Sequence, residues 1–296
     1  MKMVQTAAHA AQQWHPTKYL AFEGHRLRPA LELLARVRAL PSEQAGRPED
    51  IKIVDLGAGT GNMAPAFLQR WPKSRVTFVD SSPSMLERAA KDHASNATLD
   101  TSRFSYEQAT FDSFVAEEPV DLIFSNAAIH WVSAEHHRSL LPRLFSFLKP
   151  GGVLAFQIPD SRVQPSHALM VEAKRQLGLH SELDNVRWVT CEHDPSFYYQ
   201  IFEKLMSPDE IAMTLDMWST TYAQIMEGEN PVADFTSSTG LGPYLEALGG
   251  RESAAAQAFE RKYRELILEA YPKEQDGRTV FNFKRFFLVA VKPLEQ

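Results

Sequence analysis

Apolar residues in the first half of the chain arrive in short runs separated by longer mixed stretches. Ile51, Ile53, Val54 and Leu56 make one run, and Val76, Phe78 and Val79 make another. Runs of this length, closed by Gly, Pro or Asp, read as buried strands. The pattern predicts strands near 51–56, 75–80, 103–108, 120–126 and 152–158, with helices near 61–71, 83–93 and 134–147 between them. Strict alternation of this kind implies a parallel sheet with helices on both faces. Upstream, Ala30, Leu31, Leu33, Leu34 and Val37 recur at helical spacing, and Pro29 suits the first turn of that helix, where no N–H is needed. Residues 41–50 read as a polar linker, and Lys149 to Gly152 as a tight turn feeding the fifth strand. The second half is less regular. It reads as mostly helical over 163–212, strand over 214–226, helical over 231–272 with breaks at Gly240 and Gly242, and a last apolar strand over 281–291. The expected fold class is α/β: a seven-stranded sheet, with extra helices after strands five and six forming a cap.

Bulk properties narrow the function classes. A chain of 296 residues with 44% hydrophobic content can bury a sizeable core. A net charge of −6 weighs against nucleic acid as the main partner, because phosphate backbones call for a basic face. The single cysteine, Cys191, allows no internal disulfide and fits a reducing, cytoplasmic setting. No apolar run approaches the roughly 20 residues that span a bilayer, and Met1 to Gln13 lacks the apolar stretch of a secretory signal. We therefore expect no membrane and no nucleic-acid partner, and a monomer or weak homodimer.

The first strand ends in Asp55-Leu56-Gly57-Ala58-Gly59-Thr60-Gly61-Asn62, and the second ends in Asp80. A strand, a glycine turn, a helix and a second strand closed by a carboxylate bring backbone close to a nucleoside and set an acceptor where ribose hydroxyls sit. The spacing is G-x-G-x-G. The dinucleotide fingerprint needs glycine at 62, where this chain has Asn62, and Asp55 suits an ammonium rather than a pyrophosphate. Both point to S-adenosylmethionine as cofactor. Asp80 has a second reading as a helix N-cap before Pro83, and the two roles are compatible, with Ser82 the better placed cap. Asn126 ends the fourth strand, and the small residues Ala127 and Ala128 after it leave room for a ligand. His130 and Trp131 follow at the same crevice. A lone histidine is usually structural, but His130 stands next to Trp131 at a strand end facing the crevice, and both the structural and the ligand-contact readings of it stand. His136 and His137 cannot share a helical face, and no His/Cys cluster has metal-ligand spacing.

Taken together these segments resemble the S-adenosylmethionine-dependent class I methyltransferases, with their Rossmann-like sheet, and more closely the trans-aconitate methyltransferase family. The resemblance runs from about Trp14 to Val291. It rests on Trp14 to Leu20, Arg26 to Leu34, the glycine turn, Val79 to Met85 and Asp121 to Ala127, then on Ile158 to Asp160, Pro165 to Met170, Trp218 to Tyr222 and Arg285 to Phe287. It implies a tail and lid helix over 1–50, a cofactor-binding core over 51–160, and over 161–296 the cap together with the last two strands. Carried over by position, Asp55, Gly57, Gly59 and Gly61 cradle the methionine part of the cofactor, Asp80 holds the ribose and Ser81 lies beside the adenine. Arg28 falls near the cofactor carboxylate and Asn126 near the sulfonium. Two positions depart from the family. Thr110 stands where an acidic residue usually accepts from the adenine amine, which puts side-chain recognition of the adenine in question and leaves the Phe111 backbone N–H to donate to the ring. His130 stands where related bacterial chains carry an amide.

The acceptor implied is a small carboxylate. A carboxylate is already ionised at neutral pH and needs no general base; the enzyme has only to align acceptor and methyl and exclude water. A tricarboxylate brings several charges, best neutralised by arginine forks. Arg26, Arg162 and Arg285 are the candidates, with Tyr198, Tyr222 and His130 helping. Each arginine also reads as a partner for Asp or Glu. Trp14 and Tyr19 read either as a lid over the substrate or as anchors of the N-terminal helix. Two competing functions remain: transfer to another small organic acid or secondary metabolite, and a non-catalytic protein that binds the cofactor.

Overall fold

The computed structural model describes residues 23–294. Seven strands form one sheet: β1 (Lys52–Leu56), β2 (Arg75–Asp80), β3 (Phe104–Gln108), β4 (Val120–Asn126), β5 (Leu148–Pro159), β6 (Leu215–Met226) and β7 (Thr279–Val291). Their order is β3-β2-β1-β4-β5-β7-β6. β1 to β5 are parallel, and β7 runs antiparallel to both β5 and β6. The α/β class, the seven strands and their sequence order match the hydrophobic pattern.

Helices cover both faces. α1 (Glu23–Arg36) and α2 (Ala64–Arg70) bury Ala30, Leu33, Leu34, Val37 and Phe67 against Ile53, Phe124, Ala155 and Phe287. α3 (Pro83–Ala94) joins that face through Leu86. On the other face α4 (Ala134–Ser146) and a later helix pack on Ile123, Phe156 and Phe286. Two local readings change. Pro29 lies inside α1 rather than at its start, because helical backbone continues upstream to Glu23. β5 begins at Leu148, so the expected turn at Lys149 to Gly152 is an irregularity within the strand, absorbed by a register shift between Val120 and Leu122 and by Gly151 at φ 76°.

β6 and β7 are long, at 12 and 13 residues. Pairing with β5 stops at Pro159–Arg285, whereas β6–β7 pairing continues to Met226–Thr279. The two strands therefore project beyond the sheet as an arm. Four helices gather on it, α5 (Pro165–Leu177), α8 (Pro231–Ser237), α9 (Gly242–Ala247) and α10 (Ala254–Ala270), whereas α6 (Pro195–Phe202) and α7 (Pro208–Thr214) pack with α4 on the sheet face. α5, α8, α9 and α10 share an apolar core with Met226, Phe281 and Phe283 of the arm. Among the described residues, no helix is long and apolar enough to cross a membrane.

Candidate active site

Residues paired in register share a face of the sheet. Phe78, Asp55, Phe124, Ala155 and Val289 form one such row. Two residues further along the same face come Asp80 on β2 and the row Asn126, Gln157 and Phe287, then Pro159 and Arg285. Polar side chains thus line the C-terminal edge from β2 to β7 on a single face. They are acidic at one end (Asp80, Asp55), amide in the middle (Asn126, Gln157) and cationic at the other (Arg285). Open α/β sheets bind ligands at this edge.

At the acidic end, the N–H groups of Gly57 and Ala58 donate to Val79 O at 2.8 and 2.9 Å. Gly57 has φ 77°, and a Cβ there would lie 2.3 Å from the Ala128 Cβ, so only glycine lets the turns after β1 and β4 meet. Gly59 differs: its φ is 56°, and a Cβ there would meet nothing within 4 Å. Bare backbone therefore faces open space at Gly59, as a ligand cradle requires. The Gly59 N–H donates to Asp80 Oδ2 at 2.8 Å, and Ser82 N–H donates to Oδ1 at 2.9 Å. Ser82 is the N-cap residue of α3 but its side chain makes no capping bond, its hydroxyl lying 3.0 Å from that of Ser84; Asp80 holds the Ser82 N–H just before the helix. The Asp80 carboxylate keeps unused lone pairs for hydroxyl donors, and Ser81 beside it is exposed. The Gly61 carbonyl accepts from His93 Nε2 at 2.8 Å. Asp55 is 2% exposed, and burial, with the nearby Asp80 charge second, pushes its carboxyl up to about 8. A bound cation would relieve that penalty. The open cradle and the two carboxyls fit the ammonium and ribose of S-adenosylmethionine.

Thr110 and Phe111 lie next to this turn in different ways. The Thr110 hydroxyl is bonded to Ser113 Oγ at 3.0 Å and closes a local turn. The Phe111 ring reaches to 3.3 Å from the Cβ position of Gly57. Arg28 is exposed on α1, paired with Glu32 at 2.9 Å and stacked 5.2 Å over the Tyr222 ring.

The cationic end is a chain of side chains, buried at Arg285 and Gln157 and half-buried at Asn126. Arg285 Nη1 donates to Gln157 Oε1 at 3.2 Å, and Gln157 Nε2 donates to Asn126 Oδ1 at 2.5 Å. Arg285 also stacks 4.8 Å over Phe283. It sits where β7 leaves β5, between the apolar cluster under α1 and that of the cap, which is why a charge occurs in an apolar strand. Ala127, just past Asn126, is held at φ 50°, a strained conformation for a residue with a Cβ. His130 follows in a single 3₁₀ turn (Ile129–Trp131) and is buried. Burial chiefly, then Arg285 and Arg187, holds its pKa well below the ordinary histidine value, so the ring is neutral at pH 7. Its Nδ1 is buried with no hydrogen-bond partner among the described residues. Trp131 is half-buried beside it, with ring centroids 5.6 Å apart.

Other expected substrate residues lie elsewhere or are engaged. Arg162 is bidentate on Asp160, at 2.8 and 3.0 Å, the ion-pair reading weighed for it from sequence. Tyr198 belongs to the core: it is fully buried, stacked on Phe286 at 4.9 Å, with its hydroxyl 3.4 Å from His137 Nδ1. Its ring packs on Phe156 and Phe286 of the opposite face, so it does not join Arg285. Tyr222 is on the Arg285 face, and its hydroxyl donates to Glu32 at 2.6 Å. Trp14 and Tyr19 lie outside the described residues, as does the side chain of Arg26. Sequence reasoning missed Gln157. Its signal was an amide inside the apolar run Val153 to Ile158, where a polar residue needs a partner. Among the described residues, no cluster of His, Cys, Asp and Glu could hold a metal.

A methyltransferase domain model matches residues 53–152. The chain is 39% identical to the trans-aconitate 2-methyltransferase of Streptomyces avermitilis, covering 96% of this chain and 98% of that one. It is 37% identical to the protein of that name in Streptomyces coelicolor (96% and 88% covered) and 36% identical to that of an Enterobacter species (94% and 97%). A solved Haloferax volcanii putative methyltransferase, in complex with the Trm112 activator, shares the fold at TM-score 0.50 and 18% identity, covering 94% of each chain. The chain belongs to the trans-aconitate methyltransferase family of S-adenosylmethionine-dependent class I methyltransferases.

Proposed function

We propose that this member of the trans-aconitate methyltransferase family methylates a carboxylate of trans-aconitate, forming a monomethyl ester at the 2-position named for its relatives. The observation that carries this is the hydrogen-bonded chain Arg285–Gln157–Asn126, which leads from a buried cation to the cofactor end of the sheet. S-adenosylmethionine supplies an activated methyl group on a sulfonium. The protein's part is binding, orientation and exclusion of water. Asp80 takes the ribose hydroxyls, the turn at Gly59 admits the ligand to the backbone, and Asp55 takes a cation. Arg285 neutralises one carboxylate of the acceptor, and neutral His130 offers a hydrogen bond from Nδ1. Gln157 already occupies Asn126 Oδ1, which turns the Asn126 amide N–H groups towards the ligand. Acceptor and methyl must meet in line at about 3–3.5 Å. No proton has to be removed from an ionised acceptor, so the transfer asks no base of His130. Arg162 and Tyr198, engaged elsewhere, drop out of the acceptor set.

The test is methyl transfer from labelled S-adenosylmethionine to trans-aconitate, with citrate, cis-aconitate and itaconate alongside and the ester position read by NMR. Turnover of trans-aconitate above the others, with the ester at the 2-position, is expected. Cofactor binding without turnover of any of the four acids overturns the acceptor assignment.

A further inference from the structure

The loops that follow β4 and β5 are tied down by a segment with no regular structure of its own. Residues 184–194 lie between the cap's one-turn helix (His180–Leu183) and α6. Arg187 Nη2 donates to His130 O at 3.0 Å and to Trp131 O at 2.5 Å. Its Nη1 pairs with Glu192 Oε1 at 2.5 Å. Glu192 Oε2 in turn accepts from the N–H of Ala134, the first residue of α4, at 2.8 Å. Further along, Cys191 N–H donates to Pro159 O, and Ser161 N–H to Thr190 Oγ1, both at 2.8 Å. The segment is thus a strap stitched across the end of the sheet. One guanidinium fork spans two consecutive carbonyls and a carboxylate, and the carboxylate fixes the helix that follows.

Ile129–Trp131 is a single 3₁₀ turn, which holds its own shape poorly, and it leaves β4 through strained Ala127. Its geometry must therefore come from outside. We propose that Arg187, oriented by Glu192, is a positioning residue for methyl transfer: it fixes the His130–Trp131 turn against the acceptor end of the site. This rests on the acceptor reading above. Lysine cannot reproduce the contact, because an ammonium has no planar fork to bridge three oxygens at fixed angles.

Arg187→Met, Arg187→Lys and Glu192→Gln are compared with wild type in the full-length protein. Three quantities are measured: cofactor Kd by calorimetry, kcat and KM for trans-aconitate, and the pH titration of the His130 ring by NMR in ligand-free protein. His130 is faced by Arg285 from β7, Arg187 from the strap, His137 from α4 and His167 from α5. Removing the Arg187 charge is therefore expected to move its titration upwards. Cofactor Kd is expected to stay within about twofold, while kcat/KM falls about tenfold or more, as for loss of a charged hydrogen bond, and lysine does not rescue. If the Met variant fails to fold, the Lys and Gln variants carry the kinetic test. Full activity in the Lys variant overturns the proposal, and so does an unmoved His130 titration with unchanged kcat/KM. The NMR arm needs no acceptor, so a wild type that ignores trans-aconitate overturns the acceptor reading alone.

Discussion

Asp55 gives the ligand-free protein an unusual pH dependence. Its carboxyl titrates near the ordinary 3.8 when unfolded and is pushed up to about 8 in the fold. Between those values the folded state holds a proton that the unfolded state has released. The stabilisation is complete below the unfolded value and is lost as pH rises through the folded one. Stability is therefore expected to fall from about pH 4 to about pH 8, by an amount on the order of 2–5 kcal/mol. Thermal melts across that range should show it, and Asp55→Asn should flatten the curve. A cation bound at Asp55 opposes the effect, so saturating cofactor should flatten it too. A melting curve that does not slope with pH in the wild type would sink this account. Asp55 was legible as a charge in an apolar strand. Its perturbed protonation was not, because that depends on Asp80 and the burial around it.

Elements divide the work between the two ends of the sheet. At the end away from the ligand, Asp121 on β4 is fully buried. It accepts from Ser42 N–H and Lys52 N–H at 2.9 Å each and pairs with Lys149 at 2.7 Å. It ties the linker to the irregular start of β5. Asp121→Ala is expected to cost about 2–4 kcal/mol, towards the low side for a broken buried pair because Lys149 keeps some exposure. Chemical denaturation measures the loss, with Km values of the surviving folded enzyme unchanged. A matching change in acceptor KM would instead place Asp121 in communication with the site. Periodicity read these elements well, since strand and helix periods are local. It misplaced the start of β5 and the position of Pro29, because a register shift and a helix running on upstream are settled by neighbouring strands and helices.

Across the whole molecule, one face of the sheet carries carboxyl groups at one end and a guanidinium at the other. Cofactor binding and acceptor binding should therefore respond to different substitutions. Asp80→Ala is expected to weaken cofactor binding with acceptor KM little changed, whereas Arg285→Ala raises acceptor KM about 10–100-fold and leaves cofactor Kd alone. Calorimetry and steady-state kinetics on the two variants and their double mutant test this. A loss of cofactor affinity in Arg285→Ala would make that arginine a structural bridge between the two apolar clusters. The sequence by itself determined the order of strands and helices, the glycine turn with its closing Asp80, and the presence of Arg285 in an apolar strand. These follow from period, turn chemistry and the cost of burying charge, all of which act between near neighbours. Tertiary structure alone decided which charged groups share a face and which cancel. Arg162 meets Asp160, Tyr198 turns into the core, Gln157 links Arg285 to Asn126, and Arg187 reaches back over the turn after β4. Those outcomes depend on strand register and on a strap more than fifty residues from the turn it holds, and no local pattern records them.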